Sequence, residues 1–137
     1  KERLSTIGAA GFGRDASIGL GKFDVEGLDA ASFPAPARAQ AHWTLAPCAP
    51  QGMGFDGTRS YWRVLTRFGR HGGALALSAH PFKNPVLLAA AGAIFAPNGE
   101  FSQRLFIGQG LTGVSAHTET VHQGYAPVVP LQMEVTP

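Results

Sequence analysis

Sixteen residues near the start, Gly8 to Phe23, constrain the fold more than any other stretch, because five glycines (Gly8, Gly11, Gly13, Gly19 and Gly21) interrupt any regular element that would pass through them. Glycines accept positive φ and let another backbone come close, so their amides can form a concave nest for an anion. Arg14, Lys22 and the Ser17 hydroxyl add positive charge and a rotatable donor. Phosphate suits that combination. A tight connection leading into a strand is the plainer alternative, and the loop alone leaves both open.

Two better-known glycine motifs are excluded by context. Gly11-x-Gly13-x-x-Ala16 satisfies the dinucleotide fingerprint formally, but that motif follows a hydrophobic strand and opens a helix. Here Leu4-Ser5-Thr6-Ile7 is a poor strand, and Gly19 and Gly21 would break a helix. The phosphate loop of nucleotide hydrolases needs a glycine where Ala16 stands and Ser or Thr where Phe23 stands.

At 137 residues and 14.3 kDa the length fits one domain with one core, and 18 glycines with 10 prolines favour strands over long helices. The chain begins at Lys1, which reads as a domain or fragment of a longer polypeptide. Net charge is only +2, but its placement is uneven: between Asp56 and Glu100 there is no acidic residue, while Arg59, Arg63, Arg67, Arg70 and Lys83 all lie there. That run is either a polyanion site or a solvated basic face. The single cysteine, Cys48, permits no internal disulfide and no cysteine-based zinc site, which fits a reducing compartment. No signal peptide is visible and the apolar run Pro85 to Ala96 is too short to span a bilayer, so a soluble cytoplasmic protein is expected.

Taken in order, Lys1 to Thr6 reads as the end of a helix, and Leu20 to Glu26 alternates as a half-buried strand. Gly27 to Arg38 is a surface connection. Gln40 to Ala46 is a second strand, with His42, Thr44 and Ala46 on one face and with Trp43, expected in the core, on the other. Pro47 to Arg59 is a long loop that either moves freely or orders on a partner. Tyr61 to Phe68 is read as a strand with Trp62, Val64, Thr66 and Phe68 on an apolar face and Arg63 and Arg67 on a cationic one. Ala74 to Ala79 reads as a short strand, Val86 to Ala96 as a bent central strand, Phe101 to Ile107 as its partner across a turn at Pro97 to Glu100, and Val128 to Val135 as a closing strand. His117 and His122 stand five positions apart without nearby carboxylates and do not make a metal site.

The order of these features resembles the RAMP-superfamily proteins of CRISPR effectors, and within them the fourth subunit of Csm-type (type III-A) complexes. The resemblance lies in Gly11 to Phe23, Tyr61 to Gly69, Phe82-Lys83 through Gly92-Ala93-Ile94-Phe95, and Val121-His122-Gln123-Gly124-Tyr125-Ala126. It implies an α+β, ferredoxin-like (RRM-related), β-rich domain with a long glycine-rich loop, and a non-catalytic subunit without cofactor or metal. It implies, too, that this subunit holds the repeat-derived 5′ tag of the CRISPR RNA and joins the large polymerase-like subunit to the backbone RAMP subunits. The RNA contacts implied are Gly11, Phe12, Gly13, Arg14, Asp15, Ser17, Gly19, Gly21 and Lys22, with amides on phosphates, Phe12 on a base, and Asp15 either orienting Arg14 or accepting from a sugar hydroxyl. The family carries a further N-terminal half before this loop, so residues 1–137 correspond to its C-terminal part, as a fragment or one piece of a split subunit.

Two other functions fit the residues. A RAMP endoribonuclease would use His42, His80, His117 or His122 as general acid or base, but such enzymes place the glycine loop near the C-terminus. A β-rich protein-interaction domain would bind no RNA.

Overall fold

The computed structural model describes residues 1–13, 15–30, 32 and 35–134, with the backbone alone of Ser17. The chain divides into two compact units, Lys1–Phe33 and Pro34–Pro137, where its length alone suggests one domain. In class it is a small α+β protein, with one α-helix and antiparallel sheets among the described residues.

In the first unit the helix α1 spans Glu2–Ala10 and ends at Gly11, whose φ of 94° an L side chain rarely adopts. The chain then makes a 3₁₀ turn, Ala16–Ile18, and folds back so that the Phe12 amide donates to the Gly21 carbonyl at 2.9 Å and the Phe23 amide to the Gly8 carbonyl at 3.2 Å. Leu20 to Glu26 is therefore not a strand. Alternation describes a strand only where a neighbouring strand takes up its amides, and this segment meets a helix end instead.

Among its described residues the second unit holds six strands: β1 (Ala41–Thr44), β2 (Val64–Arg67), β3 (Val86–Ala89), β4 (Ile94–Phe95), β5 (Phe106–Gly108) and β6 (Tyr125–Leu131). Four form one sheet in the order β4-β1-β6-β5, and β2 pairs with β3 in a second. Val86 to Ala96 is thus two strands in two sheets, parted at Gly92 (φ 84°). Thr44 holds that turn: its Oγ1 accepts the Ala93 amide at 2.9 Å, and its carbonyl accepts the Gly92 amide at 2.8 Å. Phe101 to Ile107 does not return alongside β4; only its end is extended, and β5 pairs with β6. Residues 73–77 are a 3₁₀ helix rather than a strand. The closing strand begins earlier than expected, at Tyr125, and stops at Leu131; Val135 lies outside the described residues.

The core is built largely of small side chains. Cys48, Ala89, Ala93, Phe95, Ile107, Ala126 and Val128 form the main cluster, with Ala49, Val86, Leu88 and Val114 beside it. The inward face of β1 is polar: His42 and Thr44 are buried, and His42 Nε2 donates to the Ser102 carbonyl at 3.1 Å while its ring meets Phe101 at 4.7 Å. Trp43 faces outward and is 44% exposed, which corrects its placement in the core. Residue size did not decide the matter, because the sheet's inward side already holds Phe95 and Ile107. The apolar face expected on β2 is the open one: Val64 and Phe68 are exposed, and Leu65 points toward buried Leu88. The Pro47 to Arg59 loop is anchored. Phe55 packs on Phe95 at 4.8 Å, the Asp56 amide donates to the Ala96 carbonyl, and the Asp56 carboxylate accepts from Arg59 Nε and from the amide and hydroxyl of Thr58. Those donors, Arg59 first, hold the Asp56 carboxyl well below the usual range.

Burial holds the His42, His71 and His122 imidazoles below their ordinary pKa; at His42 Arg104 adds to it, and at the other two Lys83 does, with His117 acting further on His71 and Arg67 on His122. These rings are neutral in the fold, whereas the unfolded chain takes up protons near the ordinary value of about 6.5. Stability is therefore full above that value and declines as pH falls through the folded-state pKa values, where the loss levels off. The melting temperature should drop steadily between about pH 7 and pH 5, and His71→Gln should flatten the profile. A melting temperature that held or rose on acidification would contradict this.

Candidate nucleic-acid interface

The glycine loop is closed by its own backbone. Amides of Gly11, Phe12, Ala16, Ile18, Gly19, Leu20 and Phe23 donate to carbonyls within residues 7–21, so they are not available to an anion. A Cβ on Gly21 would fall on the Phe12 carbonyl oxygen, so glycine there is required by the crossing itself. Gly13 and Gly19, by contrast, have positive φ with open space where a Cβ would stand. Beside that crossing Phe12 is 75% exposed and Lys22 is exposed, as are Gly13, Asp15 and Gly19 along the loop. Arg14 lies outside the described residues, as does the side chain of Ser17. The context that excluded a dinucleotide site is the one found: the loop follows a helix and opens only one 3₁₀ turn.

What the described residues of the loop can offer an RNA is thus an exposed aromatic ring and the Lys22 ammonium, with fewer amides than the glycine count suggests. The first unit carries four cationic and five anionic residues, the second seven and four. The positive field of this protein belongs mainly to the second unit.

In that unit the basic run is separated by function. Arg59 is paired with Asp56 at 2.8 Å and donates to the Pro97 carbonyl, the one ion pair among the described residues. Arg70 lies 5.6 Å from the Phe82 ring and donates to the Ala76 carbonyl. Arg63 and Arg67 are exposed. An open groove of about 450 Å³ on the β2–β3 side is lined by Met53, Phe55, Trp62, Val64 and Leu87.

The histidines do not converge. His42 is in the core and His80 is exposed. His117 meets a residue that no motif in the chain singles out: its ring stands edge-on to that of buried His71, centroids 5.2 Å apart. His71 Nε2 and the Ser115 hydroxyl are hydrogen-bonded at 2.8 Å, and the same oxygen accepts the His117 amide at 3.1 Å. Positions 71 and 117 are too far apart for any spacing rule to join them. His122 Nε2 is buried without a partner among the described residues. Among those residues no three His, Cys, Asp or Glu side chains gather as metal ligands, and no helix is long and apolar enough to cross a membrane. Cys48 is buried, which pushes its thiol up to about 11 and leaves it a poor nucleophile.

Comparison with protein families, with curated proteins and with solved structures gives no match.

Proposed function

We propose that this chain is a non-catalytic RNA-binding subunit of a type III CRISPR effector, a ferredoxin-like relative of the fourth Csm-type subunit acting in the cytoplasm. In this role it holds the 5′ tag of the CRISPR RNA and joins the large polymerase-like subunit to the backbone RAMP subunits. The observation that carries the reading is the crossing of the glycine loop, where Phe12 is 75% exposed and Gly13 and Lys22 are exposed with it. A ring and an ammonium held outward by a backbone-closed loop suit one stacked base and one phosphate of a single strand, and Arg14 is assigned a second phosphate on its charge alone. Filter retention of tag RNA against a scrambled strand of equal length tests it. Intact RNA retained in preference to the scramble is expected; no retention at low salt would overturn it.

A second function, a metal-independent endoribonuclease, is favoured by one observation, the edge-on contact of the His71 and His117 rings, with the Ser115 hydroxyl bonded to His71 Nε2 and to the His117 backbone amide. Paired imidazoles can divide the work of general base and general acid at a phosphodiester. Strand scission without divalent metal, lost in His117→Ala, would favour it over the first.

A further inference from the structure

We propose that the face of the four-stranded sheet bearing Trp43, Ile94 and Tyr61, with Arg63 at its rim, is a base-stacking platform for single-stranded RNA. This rests on the RNA reading above but concerns a different surface.

Register brings the residues together. Trp43 is the cross-strand partner of Ile94, and Ile94 is in turn the partner of Tyr61, with amides and carbonyls exchanged between Tyr61 and Ile94 at 2.8 Å. Directly paired residues share a face, so Trp43, Ile94 and Tyr61 form one row. At about 4.8 Å per strand the two backbone positions lie roughly 10 Å apart, far enough for each ring to take its own base. Both are open to solvent, Trp43 at 44% and Tyr61 at 62%. They border a depression of about 520 Å³, walled by Arg63 and the Ala90–Ala93 turn. The turn backbone lies close to the indole: a Cβ on Gly92 would stand 3.8 Å from Trp43 Nε1.

An apolar surface alone would suit a peptide equally well. Three features point to nucleic acid instead. The rings present π-faces, which every base can stack upon, whereas aliphatic side chains make up the rest of the row only at Ile94. Arg63 is exposed and forms no ion pair with a described carboxylate, so it can meet a phosphate or lie on a base. No acidic residue occurs between Asp56 and Glu100, the segment that supplies Tyr61, Arg63 and the turn.

The chain has two tryptophans, and the other, Trp62, stacks on Phe95 at 5.9 Å and also lines this depression. Trp62→Phe keeps a ring against Phe95 and leaves Trp43 as the only tryptophan. Titrating that protein with a short oligouridylate should quench Trp43 emission, more weakly at high salt, while a duplex of equal length leaves it unchanged. Tyr61→Ala and Arg63→Ala should each raise the half-saturation concentration about tenfold, with Tyr61→Phe close to the parent. If filters retain RNA while Trp43 emission stays constant, the platform is wrong and the RNA reading stands. If RNA is neither retained nor able to quench, both fall.

Discussion

Replacing Arg14 and Lys22 together by alanine should weaken retention of tag RNA by about two orders of magnitude. Each residue is assigned one phosphate, and a hydrogen bond to a charged group contributes about 1.5 kcal/mol or more. Because two single-strand phosphate contacts would be lost, the slope of log affinity against log salt should flatten by about 1.4. Circular dichroism should not change, since Lys22 is exposed and the loop closes through backbone groups rather than through its side chain. Unchanged retention with an unchanged slope would remove the loop from the RNA site.

The largest effect on stability is expected at Phe95. Its ring is 2% exposed and lies between Phe55 and Trp62, at 4.8 and 5.9 Å, within the main core cluster. Phe95→Ala should cost about 3–5 kcal/mol, through lost burial and the cavity left behind. Against a typical total of about 5–15 kcal/mol that is enough to lower the denaturant midpoint severely or to prevent folding. Phe68→Ala provides the contrast: at 78% exposed, its ring should leave the midpoint within about 0.5 kcal/mol. Equal losses at both positions would mean that the core is elsewhere.

The β1 strand was legible because its residues alternate at period two, and a bend at Gly92 was legible because glycine alone takes its φ easily, though not that it parts two strands of two sheets. Partnership was not. Nothing in Phe101 to Ile107 says that it pairs with β6 rather than β4, and nothing in Leu20 to Glu26 says that no strand lies beside it. Pairing is decided by tertiary packing, which local alternation does not contain. Residue type misled at Trp43, where a large apolar ring suggested the core but register set it on the open face.

For the candidate site the glycine loop was conspicuous, yet its count of glycines overstated its amides, because closing so tight a loop consumes them. The row of Trp43 and Tyr61, eighteen positions apart, and the contact of His71 with His117 exist only once strands and loops are assembled. Charge was partly visible. The acid-free segment stood out in the sequence, but only the structure removes Arg59 and Arg70 from it by giving each a partner within the chain.

The most direct measurement is the sequencing of small RNAs that co-purify with this chain from cells carrying a type III CRISPR array. A guide-holding subunit predicts a population enriched over an unrelated protein of similar charge and sharing a single, repeat-derived 5′ end. RNA no more abundant than in that control, or with 5′ ends scattered across many transcripts, would contradict it.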